Sequence, residues 1–144
     1  MAKGLSAESI TVAAAELIEQ YGRSGFSMRL LADTMGVKTA SLYNHIENMD
    51  TLLTEVCRYA LRMQEDGELR AIAGKTGREA VWALAWAYRR FAQQHRELYW
   101  LVMDTAAGEP RVLDDAAARF TEPLKQVFSG FYLPPQEEIH FRRM

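Results

Sequence analysis

Apolar side chains recur every three or four residues through most of the chain, which is the spacing of amphipathic α-helices. The first such stripe follows Ser6, a residue type that caps helix N-termini, and Gly22 stands at its end. Its apolar members are Ile10, Ala13, Ala14, Leu17, Ile18 and Tyr21. The pattern predicts a first helix that packs into a small core with Phe26, Leu31 and Leu42.

A helix-turn-helix pattern follows in residues 27–50, SMRLLADTMGVKTASLYNHIENMD. Ser27 and Thr39 are predicted to cap its two short helices, and Gly36 suits the left-handed residue at the end of the first. The second helix of such a motif enters the major groove in DNA-binding proteins. Spacing and caps alone are equally compatible with an αα-hairpin that has no role in DNA binding.

The exposed face of the second helix, which is predicted to run to His45, favours DNA binding over the plain hairpin. It combines hydrogen-bonding side chains with almost no acid, and such side chains reach base edges and phosphates together. These residues are Lys38, Thr39, Ser41, Tyr43, Asn44 and His45. We therefore predict that this face contacts double-stranded DNA.

A long fourth helix is predicted to start near Asn48 and to run toward Leu69. Its apolar stripe consists of Leu52, Leu53, Val56, Tyr59, Ala60 and Met63. Gly67, Gly74 and Gly77 mark its fraying end and a linker. A helix of this length would join the predicted helix-turn-helix to the part of the chain after the linker.

Two aromatic-rich helices are predicted after the linker. Their inward residues are Val81, Leu84, Ala85, Tyr88 and Phe91 in one, and Leu98, Tyr99, Leu101, Val102 and Met103 in the other. A seventh helix from Val112 to Phe131 is kinked by Pro123, and its inward residues are Leu113, Ala117, Phe120, Leu124, Val127 and Phe128. The sequence Leu133-Pro134-Pro135 ends it, and the acidic residues that follow suit the start of another helix.

The N-terminal part of the chain resembles the TetR family of bacterial transcriptional regulators. The run GVKTASLYNHIENMDTLL has the Gly-Val, the Leu-Tyr, the His, the Asn and the Leu pair in the order typical of that family. The resemblance implies an all-α fold. It also implies a helix-turn-helix DNA-binding domain at residues 1–48, joined by a long helix to a ligand-binding and dimerisation domain at residues 49–144.

The resemblance also implies which residues contact DNA. Thr39, Ala40 and Tyr43 match positions that usually contact bases or phosphates, and Ser27, Tyr43 and His45 match usual phosphate contacts. Where the family usually has a lysine after the Asn, this chain has Met49. The departure predicts weaker binding with a flatter salt dependence, although the helix N-terminus still offers N–H groups to a phosphate.

An effector site in the helical domain is a further implication of the resemblance. Aromatic stripes in helices usually form ordinary core, whereas small-molecule sites are lined by aromatic side chains with a few polar groups. The residues predicted to line such a site are Tyr59, Met63, Trp86, Tyr99, Met103 and Phe120. The effector itself would be a small apolar or amphipathic molecule.

Relatives in the family continue with two further helices, which pair across a two-fold axis as a four-helix bundle. Those helices are missing from a chain that ends at Met144. We therefore expect a fragment of a homodimeric protein, and the alternative is a protein without the usual dimer surface.

Composition is that of an ordinary globular protein, and the net charge of −2 argues mildly against nucleic-acid binding. The first fifty residues hold four basic side chains against six acids, although Glu8, Glu16 and Glu19 of the first helix can face away from DNA. Cys57 is the only cysteine, which excludes an intrachain disulfide and favours the reducing cytoplasm. No apolar run is long enough to span a membrane.

An enzymatic function finds little support in the sequence. His45, His95 and His140 are far apart, no phosphate-binding glycine loop is present, and Cys57 on an apolar stripe suits an inert buried thiol. We predict no catalytic activity, no cofactor and no metal site. The working hypothesis is a ligand-responsive transcriptional repressor on a near-palindromic operator. Its rival is a helical ligand-binding or interaction protein with a weak or inactive helix-turn-helix.

Overall fold

The computed structural model describes residues 4–131, and every regular element in that range is helical. The expected all-α fold is confirmed. In chain order the elements are α1 (Ala7–Gly25), α2 (Met28–Met35), α3 (Thr39–Leu42), α4 (Met49–Ile72), α5 (Gly77–Gln94), α6 (Arg96–Gly108), a 3-10 helix (Pro110–Leu113), α7 (Asp114–Phe120) and α8 (Glu122–Phe128). The predicted break at Leu133-Pro134-Pro135 and the helix start after it lie outside the described residues.

Helix α1 begins at a reciprocal cap, as the sequence predicts. The Ser9 N–H donates to the Ser6 hydroxyl at 3.1 Å, and the Ser6 N–H donates to the Ser9 hydroxyl at 3.0 Å. Gly22 has φ 74° and interrupts the helical geometry, but α1 continues to Gly25, so the predicted end is a kink. Tyr21 is wrongly predicted as core, because its side chain is 51% exposed.

The first half of the helix-turn-helix forms as predicted. The Ser27 hydroxyl accepts from the Leu30 N–H at 3.1 Å, and Gly36 is left-handed, with φ 68° and ψ 31°. Its N–H donates to the Asp33 carbonyl at 3.2 Å and closes the end of α2. The turn before the second helix is therefore stabilised by local hydrogen bonds, at residues that the sequence predicted.

The second helix is shorter than predicted. It ends at Leu42, and the three residues up to His45 form a turn in which the His45 N–H donates to the Leu42 carbonyl at 3.0 Å. The predicted cap at Thr39 is wrong, because Lys38 occupies the N-cap position and its side chain has no acceptor to offer. Thr39 is the first residue of the helix, where its hydroxyl does not cap.

One hydrophobic cluster joins the DNA-reading module to α4, α5 and α6. Ile18, Leu31 and Leu42 are fully buried in it, together with the predicted core residue Phe26. The same cluster includes Leu98 and other apolar residues of α5 and α6. The predicted domain boundary after residue 48 stays a prediction, and the core is continuous across it.

A polar contact at the edge of this cluster joins α1 to the corner between α5 and α6. The Nδ1 atom of His95 lies 2.7 Å from Oε1 of Glu19. One turn further along α1, a Cβ atom on Gly22 would lie 3.4 Å from the Glu97 carboxylate. The three N-terminal helices are therefore held against α6 by a contact of α1, and they are also connected directly to α4.

Helix α4 starts as predicted, with the Asn48 side chain accepting from the Thr51 N–H at 2.8 Å. The predicted fraying at Gly67 is wrong, because this residue lies inside a helix that runs on to Ile72. The turn to α5 instead uses Gly74 and Gly77, whose φ angles are 73° and 55°.

Helix α5 buries a narrower face than its sequence predicts. Leu84 and Phe91 are buried as expected, whereas Ala85 and Tyr88, predicted to face inward, are exposed. Burial is set by the position of α4 beneath the helix, which the spacing of apolar residues alone does not reveal.

The predicted kinked helix from Val112 to Phe131 is wrong. A 3-10 helix, α7 and α8 take its place, and Pro123 lies in the first turn of α8, where its missing N–H costs no helical hydrogen bond. Leu113 and Val127 are buried as predicted, but Leu124 is exposed because the break at Thr121 changes the helix register. The side chains of Ala117 and Phe120 lie outside the described part of the structure.

Replacing Gly36 by alanine should destabilise the fold by about 1 kcal/mol, because the left-handed conformation is strained for alanine even though no atom lies within 4 Å of the new Cβ. The matched control is Gly67→Ala, which also meets no atom within 4 Å but lies in regular helix. This control should stabilise by about 0.5–1 kcal/mol. Urea unfolding measures both, and a change of the same sign in the two variants would contradict the assignment.

Candidate nucleic-acid interface

The predicted DNA-binding residues lie at the start of α2 and along α3 and the turn after it, and the two helices contact each other. Two of them, Thr39 and Ser41, are half-buried at the base of α3. The others are exposed: Ser27, Lys38, Ala40, Tyr43, Asn44 and His45. We call this set of eight residues the reading surface.

Leu42 fixes the reading surface to the core. Its side chain is fully buried, and Ile46, just after the turn, is buried as well. The N–H groups of His45 and Ile46 both donate to the Leu42 carbonyl, at 3.0 and 3.1 Å. Tyr43 and Asn44 are thereby presented to solvent, and the Tyr43 side chain is 49% exposed.

The reading surface is less acidic than the overall composition suggests. Glu19 contacts His95 and so faces α6 rather than the reading surface. Arg29, next to the cap residue Ser27, has a solvent-exposed side chain and is only 3.9 Å from Asp33, a weak exposed ion pair. Sequence reasoning missed Arg29 as a candidate, although a cation in the first turn of α2 was the available signal.

The start of α4 is a second candidate phosphate contact. Asn48 uses its side chain to cap the helix, and Met49 is half-buried and packs against the main core. Asp50 in the first turn is exposed and repels phosphate. The missing lysine is therefore not replaced by another cation at this helix end.

The predicted effector residues differ in their exposure. Tyr59, Met63 and Met103 are half-buried beside the main core, and Tyr99 is half-buried on α6. Trp86 is 56% exposed with the Arg89 guanidinium 5.6 Å from its ring centre. The side chain of Phe120 lies outside the described residues, and the lining set stays a prediction.

Two clefts elsewhere on the helical part have linings that differ from the predicted set. One, of about 230 Å³, lies between the start of α5 and the end of α8, beside Ala80 and Val127. The other, of about 30 Å³, lies beside Arg58 and Asp115 where α4 meets α7. Neither is lined by any of the residues predicted for the effector.

Gln64 and Glu68 form a buried polar pair that the sequence analysis missed. Both side chains are buried, with 4% and 3% exposure, and the Gln64 amide donates to the Glu68 carboxylate at 2.8 Å. Burial raises the pKa of Glu68, and only partial compensation comes from the Gln64 hydrogen bond. The available signal was a pair of polar residues four apart on the inward face of α4.

Tyr88 of α5 and Tyr99 of α6 pair through their hydroxyls, and Tyr88 is near enough to Glu68 to be affected by its charge. The hydroxyls of Tyr88 and Tyr99 lie 3.1 Å apart. Burial, the Tyr99 hydroxyl and the nearby charge of Glu68 raise the pKa of Tyr88 to about 12. We call Gln64, Glu68, Tyr88 and Tyr99 the polar layer.

Cys57 is buried as predicted, which suits an inert thiol. Its sulfur lies 3.4 Å from the Thr105 hydroxyl, and burial raises the pKa of the thiol. In residues 4–131 no group of three or more His, Cys, Asp or Glu side chains is arranged to hold a metal ion. No helix in that range is long and apolar enough to cross a membrane.

Comparison with known proteins agrees with the geometry of the reading surface. A family model described as bacterial regulatory proteins of the tetR family matches residues 10–56, which contain most of α1, all of α2 and α3, and the start of α4. A second model, described as the tetracyclin repressor-like C-terminal domain, matches residues 81–144. The chain belongs to the TetR family of bacterial regulatory proteins.

Individual TetR-family relatives match about two thirds of the sequence length. The uncharacterized HTH-type transcriptional regulator YobS of Bacillus subtilis is 33% identical over 96 residues, 67% of this chain and 50% of YobS. The tetracycline repressor protein class D of Escherichia coli is 31% identical over 93 residues, 65% of this chain and 42% of that repressor. The chain spans about half the length of these curated relatives.

Solved structures extend the likeness in fold to most of the chain. A protein of unknown function from Rhodococcus sp. RHA1 superposes with a TM-score of 0.72 at 25% identity, covering 86% of this chain and 64% of that one. The TetR family transcriptional regulator PfmR from Thermus thermophilus gives a TM-score of 0.63 at 22% identity, covering 83% and 68%. The second likeness shows a shared fold.

Replacing Glu68 by glutamine should change how stability depends on pH. The folded protein holds the Glu68 proton more tightly than the unfolded chain, whose carboxyl titrates near 4.5, so the wild type loses stability as pH rises from that value through the folded pKa. Glutamine does not titrate, and the advantage of the variant should therefore grow between pH 4 and pH 8. Urea unfolding across this range, with Asp66→Asn on the exposed face as control, measures it. If the stability difference between Glu68→Gln and the wild type does not change with pH, the raised pKa of Glu68 is contradicted.

Proposed function

We propose that the chain acts as a ligand-responsive DNA-binding regulator of transcription, in its simplest form a repressor. The observation that carries the proposal is the reading surface, in which Lys38, Tyr43 and His45 are exposed around the buried anchor Leu42. A cation before a recognition helix, with a phenol and an imidazole after it, suits phosphates and base edges. We further propose that the protein acts in the cytoplasm and has no catalytic activity.

The proposed operator is double-stranded DNA with near-palindromic half-sites. A recognition helix of a single turn reads few base pairs, so two copies are needed for useful affinity. In a homodimer the two reading surfaces would enter major grooves about one helical turn, roughly 34–36 Å, apart. The similarity to the tetracycline repressor protein class D supports repression as the sign of regulation.

The proposed effector is a small apolar or amphipathic molecule bound among α4, α5 and α6. Because the core is continuous from α6 to α1, a ligand that favours one packing of these helices also favours one position of the reading module. A useful switch requires the ligand to prefer one state by several kcal/mol, roughly 5.5 for a complete reversal. Tight binding to both states would leave the operator affinity unchanged.

The rival is a helical ligand-binding or interaction protein whose helix-turn-helix does not bind DNA. Its support is the excess of acids in the first fifty residues and the absence of a cation at Met49. The two proposals differ in salt dependence, since each phosphate contact contributes about one unit to the slope of log affinity against log salt.

Tyr43→Ala should weaken operator binding by about tenfold or more, because it removes an exposed contact at the centre of the reading surface. The matched control is Tyr21→Ala, a tyrosine of similar exposure, 51% against 49%, that lies by the α1 kink near α6. Gel shifts with palindromic DNA measure both variants. Unchanged affinity in Tyr43→Ala, or an equal loss in the control, contradicts the assignment of the reading surface.

Met49→Lys should steepen the slope of log affinity against log salt concentration by about one unit, because it adds one phosphate contact. The lysine stem can replace the half-buried Met49 side chain while its ammonium reaches phosphate. Fluorescence anisotropy over a range of potassium chloride concentrations measures the slope for both proteins. A flat slope in the wild type, or no binding at low salt, favours the rival. A slope that the lysine leaves unchanged contradicts the docking of α4 against the DNA backbone.

A further inference from the structure

The buried face of α4 changes chemistry part-way along the helix. Cys57 and Leu61 belong to the main hydrophobic cluster, and Ile72 belongs to a second, smaller cluster with Ala80, Leu84 and Val127. Gln64 and Glu68 lie between the two clusters, and both are buried. The core of the helical domain is therefore interrupted by the polar layer.

Glu68 is a costly residue to bury at this position. Its hydrogen-bond partner is the neutral amide of Gln64, and none of the ion pairs found among residues 4–131 includes its carboxylate. A buried carboxylate without a cation is destabilising, and an apolar residue of similar volume usually packs at lower cost. A carboxyl kept under this penalty is a candidate for function.

Three helices converge on the polar layer. Gln64 and Glu68 come from α4, Tyr88 from α5 and Tyr99 from α6. The two tyrosine rings meet edge to face, with centroids 6.1 Å apart and an interplanar angle of 88°. Tyr88 is partly exposed, and Met63 next to Gln64 is half-buried, so the layer borders both solvent and deformable apolar side chains.

We propose that the polar layer is the specificity site for an effector with a protonated amine, in which Glu68 neutralises the cation and Tyr88 and Tyr99 bound it with their rings and hydroxyls. The apolar part of the effector lies between α4 and α6, beside Met63 and Met103. This inference rests on the proposed function and names the chemical class of its effector. Carboxylate and aromatic faces together favour a cation over a neutral or anionic group of the same shape.

Binding of such an amine gives Glu68 a counter-charge that it does not receive from the described residues. The ligand also separates the Tyr88 and Tyr99 hydroxyls, which join α5 to α6 at 3.1 Å. Helix α6 begins at the corner where His95 contacts Glu19 of the reading module. A displacement of α6 by the amine would therefore reach the DNA-binding part through that contact.

The test uses three probes with one carbon skeleton: 4-phenylbutylamine, 4-phenylbutanol and 4-phenylbutanoate. Titration calorimetry without DNA should give the amine a Kd at least tenfold below those of the alcohol and the acid. In Glu68→Gln the Kd values of the amine, the alcohol and the acid should lie within threefold of one another. Asp66→Asn, which removes an exposed carboxylate from the same helix, is the control and should keep the wild-type preference.

A second variant guards against trivial loss of folding. The double variant Gln64→Leu/Glu68→Leu should melt at or above the wild-type temperature, because it removes the buried carboxyl without leaving the Gln64 amide unpaired. It should still lose the preference for the amine. Equal affinity of the wild type for all three probes, or an amine preference that survives in both Glu68 variants, overturns the proposal.

Operator DNA in the same samples separates this inference from the proposed function. The amine should lower the operator affinity of the wild type at least fivefold and should leave that of Glu68→Gln within twofold. Amine selectivity that depends on Glu68 in a protein that does not bind DNA would retain the site and contradict the regulator. DNA binding without amine selectivity would retain the regulator and contradict the site.

Discussion

The burial of Leu42 is the constraint on which the reading surface depends. Helix α3 contains only four residues and has no side-chain cap, so it has no stability of its own. Its position comes from Leu42 in the main core and from Ile46 just beyond the turn. Burial of these two apolar side chains orients the exposed groups around them toward solvent.

The same cluster connects the three N-terminal helices to the helical domain. It includes residues of α1, α4, α5 and α6, and Glu19 and His95 add a polar contact at its edge. Packed cores change between discrete arrangements more readily than they deform continuously. Under the proposed function, a ligand that moved α6 would act on the reading surface through two routes, the continuous helix α4 and the contact of α1 with α6.

Local signals in the sequence predicted local structure well. Ser6, Ser27 and Asn48 cap their helices and Gly36 is left-handed, because each depends only on residues within one turn. The family run in residues 36–53 predicted the helix-turn-helix, and the comparisons confirmed the family. The predicted contacts with DNA and effector remain predictions.

Features that depend on packing between helices were predicted poorly. Gly67 was expected to mark the fraying end of α4, but the helix runs on to Ile72, which is buried. Pro123 was expected to kink one helix and instead lies in the first turn of another. The spacing of apolar residues did not predict that Gln64 and Glu68 are buried, because that spacing carries no information about polar residues on an inward face.

Selection of bound DNA from a random pool, using the purified protein, tests the central claim most directly. If α3 is held by Leu42 as a recognition helix and acts in pairs, the enriched sequences should contain two related half-sites in inverted orientation, with centres about one helical turn apart. Enrichment without inverted symmetry, or no enrichment over the starting pool, would contradict the account.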